Sequence, residues 1–133
     1  MRARVALGPL DAELARKIAV TTAATRAVIG LVAVAVPGAV TRPWVGSSGR
    51  PTGTGVLGRA FGGRDLALGL GVLLADRHGR PVRGWVEAGA LADLVDAGAT
   101  LADFGRLPRV TRDLVLATAA GAATAGLLAA RAV

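Results

Sequence analysis

The chain has 133 residues, 53% of them apolar, with 19 Gly, no Cys and a formal charge of +7 from 16 Lys+Arg against nine Asp+Glu. That length allows one domain, and the missing cysteine excludes a disulfide framework, a thiolate nucleophile and any Cys-ligated zinc or iron–sulfur centre. A mean hydropathy of +0.53 is too high for a disordered basic tail, and aromatics at 3% leave no stacking platform for nucleic acid.

Four apolar segments follow one another, separated by short connectors rich in Pro, Gly, Ser and Arg, and no strand periodicity competes. The pattern predicts an all-α, four-helix bundle in a single domain covering 1–133. The first helix is expected at about 11–36: it opens after Gly8-Pro9-Leu10 with Asp11 as N-cap and Glu13 in the first turn, and Pro37-Gly38 stops it. From Ala39 to Pro51 the connector, with Arg42-Pro43-Trp44 and Gly46-Ser47-Ser48-Gly49, has the residues of an irregular loop. The second helix is expected at about 54–75, ending in the turn Asp76 to Pro81, and the third at about 82–104, stopped by Gly105. Thr111, with Asp113 behind it, caps a fourth helix at about 111–131. A basic start and Ala33-Val34-Ala35 have some character of a signal peptide, but the capped opening and the long run to Val36 favour a retained helix.

A four-helix bundle in water shows one side of every helix to solvent. The fourth helix has no polar side: from Leu114 to Ala130 there is no charge, and only Thr118 and Thr124 interrupt the apolar surface. Residues 27–41 and 66–75 are also uncharged. Lipid or an oligomer must cover such surfaces, and recurrence in several helices favours lipid. Small residues at spacing four, Gly58 and Gly62 in the second helix and Ala117, Gly121 and Ala125 in the fourth, suit close helix packing. Arginines gather at the connections, as in Arg77, Arg80 and Arg83 or Arg106, Arg109 and Arg112, so the basic balance is read as flanking charge rather than nucleic-acid binding. Its distribution favours both termini, including Arg2 and Arg4, on the cytoplasmic side of the cytoplasmic membrane.

Gly53-x-Gly55-x-x-Gly58 matches the dinucleotide fingerprint as a string, but no strand precedes it, so packing glycines are the better account. His78, the single histidine, lies in a Gly/Arg turn and reads as a solvated turn residue. The informative constellation is on the third helix, where Asp93, Asp96, Thr100 and Asp103 follow at intervals of three, four and three. At about 100° per residue they share a sector of about 80°, with Trp85 on the same side and Glu87 roughly opposite Asp96. In a soluble bundle this is an ordinary wet face. In a membrane it must turn inward, where Arg26, Arg59 and Arg64 are the available partners. Carboxyls crowded in apolar surroundings are expected to keep at least one proton near neutrality, which equips them for acid–base chemistry.

With Gly62-Gly63-Arg64-Asp65-Leu66-Ala67-Leu68-Gly69 and Arg83-Gly84-Trp85-Val86-Glu87-Ala88-Gly89-Ala90-Leu91-Ala92-Asp93 in view, the chain resembles an uncharacterised family of small four-helix membrane proteins from high-GC bacteria. It is also similar, in size and character alone, to small polyketide spiroketal cyclases. The first resemblance implies the architecture and no activity. The leading expectation is a membrane bundle that binds a hydrophobic small molecule in an acid-lined cavity. It would act as an isomerase or cyclase without cofactor or metal. Asp65, Asp93 and Asp96 are its acid–base candidates. Arg64 is expected to orient a carboxylate or stabilise developing negative charge, and Arg26, Arg59, Trp85, Glu87, Thr100 and Asp103 to complete the lining. The competing expectations are a non-enzymatic membrane protein packed against a partner, and a proton or cation path.

Overall fold

The computed structural model describes residues 11–46 and 51–133, all of it helix and connecting turn, with five helices packed together. They are α1 (Ala12–Ala35), α2 (Pro37–Val45), α3 (Pro51–Arg77), α4 (Arg83–Ala102) and α5 (Arg109–Ala130), with a 3-10 turn at Phe104–Arg106. Arg2, Arg4 and the Gly8 to Leu10 opening lie outside the described residues, as do Ser47, Ser48 and Gly49.

The expected four helices become five because the first connector is not a loop. Val36, at φ −132 and ψ 71, leaves helical geometry and ends α1. Pro37 then takes the first position of α2, where its missing N–H costs nothing. The Thr41 hydroxyl donates to the Pro37 carbonyl (2.9 Å), and Gly46, at φ +78, closes the helix with its N–H on the Arg42 carbonyl (3.0 Å). Two helix starts differ in detail from expectation. Asp11 does cap α1, accepting from the Glu13 N–H (3.3 Å), but α5 begins before Thr111, with Pro108 at the N-cap position. The second helix also extends beyond its expected bounds at both ends.

α1 and α3 run antiparallel in close contact. At one end Arg16 holds Asp76 through Nε (2.6 Å) and Nη2 (2.9 Å); further along, a Cβ on Gly62 would lie 2.7 Å from both the Ala33 methyl and the Gly30 carbonyl. Gly58 meets Pro37 and Thr41, and Gly69 meets the Ala23 carbonyl and Ala27, so the glycines of α3 let two backbones touch. The fingerprint string Gly53, Gly55 and Gly58 thus lies within a helix, and no strand occurs among the described residues. α4 and α5 form the second antiparallel pair, with Gly126 against Ala90. The expected small-residue stripe on the last helix is not its inner face: Ala117 and Gly121 are exposed, whereas Ala123, Ala129 and Ala130 are buried.

The buried core is small and rich in alanine, with Ala19, Ala23, Val72, Val86 and Ala130 among its members. Many large apolar side chains face outward instead, including Leu57 (71% exposed), Val28 (62%) and Leu91 (62%). Charge runs the opposite way. Over Ile18–Ala35, Ala60–Ala75 and Ala88–Ala102, the only charged residues are Arg26, Arg64, Asp65, Asp93 and Asp96, and all five turn inward to one another. α1 and α5 are each long and apolar enough to cross a bilayer.

Candidate functional site

The inward charges form one cluster at mid-height, assembled from three helices. Arg26 of α1 donates from Nη1 to Asp65 Oδ1 of α3 (3.0 Å) and from Nη2 to both carboxylate oxygens of Asp93 on α4 (2.6 Å each). A longer bond from Nη2 reaches the Gly89 carbonyl (3.4 Å). Arg64 grips Asp96 end-on, Nη1 to Oδ1 (2.9 Å) and Nη2 to Oδ2 (2.8 Å), and also donates to Asp65 Oδ1 from Nε (3.2 Å) and Nη2 (3.0 Å). Such planar two-point pairing is what guanidinium does and ammonium does not.

The helices dictate this meeting. Asp93 and Asp96 are three residues apart on α4 and so share a face. Arg64 and Asp65 are sequence neighbours splayed toward α4 and α1, on a helix whose glycines bring it against α1. Side-chain exposure is 9% for Arg26, 8% for Asp65 and 11% for Asp93, so these charges are withdrawn from solvent. Ion pairs in such places roughly offset their own desolvation, and losing one partner is the costly event. Two guanidiniums face three carboxyls, which leaves one negative charge in excess when all are ionised.

An aromatic brace borders the cluster. Phe61 lies beneath the Arg64 guanidinium, 4.8 Å from ring centroid to Cζ, and meets Trp44 edge-to-face at 5.4 Å. The Trp44 indole N–H donates to the Thr100 hydroxyl (3.2 Å), which itself donates to the Asp96 carbonyl (2.8 Å). α2 is thereby tied to the turn of α4 that carries Asp96.

Asp65, Asp93 and Asp96 all line a cavity of about 300 Å³. Its remaining walls are mainly apolar: Ile29 and Val40, the rings of Trp44 and Phe61, and Leu114 and Val115 of α5. Neither Arg26 nor Arg64 belongs to that lining; Arg64 instead borders a second cavity of about 330 Å³, with Thr41, Thr54 and Leu57. Trp44, Phe61 and Asp96 border both and so form the partition between them. Among the described residues, no group of three or more His, Cys, Asp or Glu is placed to hold a metal ion.

Of the residues singled out from sequence, the structure brings together Arg26, Arg64, Asp65, Asp93, Asp96 and Thr100. It does not bring in the others. Asp103 is the C-cap of α4, beyond the helix body, and pairs with Arg106 (2.9 Å). Glu87 pairs with Arg83 on the outer surface (2.8 Å), and Arg59 is exposed. Trp85 packs on Gly71 of α3 and borders a separate crevice of about 30 Å³ on the far side of Arg26 and Asp93. His78 is an exposed turn residue whose Nδ1 lies 2.7 Å from the Leu74 carbonyl. Sequence reading missed Trp44 and Phe61. Phe61 stands one turn before Arg64 and Asp65 and was accessible by helical spacing; Trp44 was hidden by the loop expectation for α2.

No protein-family model matches the chain, and no curated protein or solved structure matches it either. The class that fold and site define is a helical bundle with an internal arginine–aspartate cluster beside an apolar cavity.

Proposed function

We propose that this protein is a small membrane bundle that binds a hydrophobic small molecule in the cavity bordered by Asp65, Asp93 and Asp96, and that these carboxyls act on it by acid–base isomerisation or cyclisation. The observation that carries the reading is the inversion of the molecule: charges gathered inside, large apolar side chains outside. The uncharged outer band of α4 from Ala88 to Ala102 is about 22 Å tall at 1.5 Å per residue, a large part of a hydrocarbon layer of about 30 Å. A cavity of about 300 Å³ is at the lower end of the usual ~300–1,000 Å³ for small-molecule sites. Asp65, Asp93 and Asp96 all border the ligand space and are the acid–base groups of this reading, with Arg26 and Arg64 fixing them in place. The test has two stages. Carbonate-washed membranes should retain the protein, and mass spectrometry of gently purified protein should find a small apolar molecule that Ala119→Trp, which fills the cavity, displaces. Turnover of that molecule should then be lost in Asp65→Asn and in Asp93→Asn/Asp96→Asn. Release by carbonate, or identical small-molecule content in the filled variant, would reject the proposal.

The pairing of each acid with arginine supports a second reading, in which the cluster is only a clamp joining α1, α3 and α4 in a non-enzymatic membrane protein. That reading requires the Ala119→Trp variant to purify with the same contents and one stoichiometric protein partner to persist in mild detergent.

A further inference from the structure

Accepting that a hydrophobic molecule enters the cavity, its walls say which kind. All three cluster carboxyls border the space and neither arginine does. Asp65 accepts its three described hydrogen bonds, from Arg26 and twice from Arg64, on Oδ1; Oδ2 has no partner among the described residues, and the side chain is 8% exposed. That oxygen keeps some accessible surface, since Arg112 Nε is the one fully enclosed side-chain polar atom without a partner among the described residues, and Asp65 borders the cavity. An anionic ligand would add a fourth negative group beside three carboxyls. A neutral ligand would leave the excess charge unanswered, whereas a monocation cancels it. Leu114 and Val115 of α5, on the same lining as Trp44 and Phe61, offer an apolar track for a hydrocarbon chain.

We infer that the ligand of this cavity is an amphiphilic organic cation, its ammonium group seated on Asp65 Oδ2 and its hydrocarbon part along α5. This rests on the small-molecule reading above, and the measurement separates the two. Trp85→Phe leaves Trp44, one of the two tryptophans of the chain, as the sole indole reporter. In phosphatidylcholine nanodiscs, with empty discs subtracted for partitioning, Trp44 emission is titrated with octylammonium, octanol and octanoate. Octylammonium should saturate at a concentration about tenfold or more below octanol, with no saturable response to octanoate. Asp65→Asn leaves two acids for two arginines, a balanced cluster that should fold; its octylammonium affinity should fall about tenfold with octanol unchanged. Equal affinity for the alcohol and the ammonium, or a preference for octanoate, overturns the cation assignment and leaves the cavity reading standing. Absence of saturation by all three overturns both. Should Asp65→Asn not fold, the comparison of the three probes on the Trp85→Phe protein decides alone.

Discussion

Arg26→Met is the sharpest test of the buried cluster. The substitution keeps an unbranched side chain of similar reach and removes every guanidinium donor. Asp65 retains Arg64, but Asp93 loses its only described ion-pair partner. At 11% side-chain exposure, little water is available to replace it. Removing one member of a buried pair costs about 3–5 kcal/mol. At roughly 3–5 °C per kcal/mol for a chain of this size, the midpoint should fall by about 10–25 °C. Thermal unfolding in mild detergent, followed by far-UV circular dichroism, measures it. The double variant Arg26→Met/Asp93→Asn should recover most of the loss, because the stranded charge is then gone. A fall of under about 1 kcal/mol in the single variant would mean that water reaches these groups, and no recovery in the double would mean that the loss comes from packing and not from the stranded Asp93 charge; either result refutes a sealed ionic cluster.

Four further outcomes are expected from the packing and the outer surface. Gly62→Val should cost at least about 1–3 kcal/mol, since its Cβ would meet Ala33 and Gly30 at 2.7 Å. Gly63→Ala, beside it with open space around its Cβ, should instead stabilise α3 by about 0.5–1 kcal/mol; both are read by the same melts. Leu91→Arg, on the outer band of α4 and 62% exposed, should sharply reduce the membrane-integrated fraction in carbonate-washed membranes, at about 2.5–3.5 kcal/mol for a mid-bilayer arginine; an unchanged fraction would place that face in water. Trp44→Phe removes the indole bond to Thr100, for a loss of about 0.5–1.5 kcal/mol, and should increase exchange of the α2 amides in hydrogen-exchange measurements; equal protection would mean that the bond does not hold α2.

The long helices were legible because their apolar runs are long and their stops are strong: Pro37 after α1, and Gly79, at φ +64, after α3. The short α2 was not, since proline and glycine in Pro37-Gly38 and Pro43 look like breakers, while proline at a first helical position favours a helix start. The site was legible where charge interrupts an apolar run, as at Arg26, Arg64, Asp65, Asp93 and Asp96. Periodicity overreached at Asp103, which keeps the angular position of the seam but falls past the last turn of α4; Arg59, offered as a partner for the acids, follows the buried Gly58 but lies on the exposed side of α3. Spacing along one helix carries no information about where a neighbour stops.

The order in which the five interior charges occur along the chain bears on biogenesis. On the membrane reading proposed above, α1 and α3 come first and together carry Arg26, Arg64 and Asp65, one positive charge in surplus; α4 follows with Asp93 and Asp96. A nascent α4 released alone into lipid would bring two uncompensated acids, but by the time it leaves the ribosome its cationic receptors have already been synthesised. Truncation after α3 should therefore strand a hairpin with an unmet demand for anions, a natural target for membrane quality control, whereas synthesis of α4 completes the electrostatic latch.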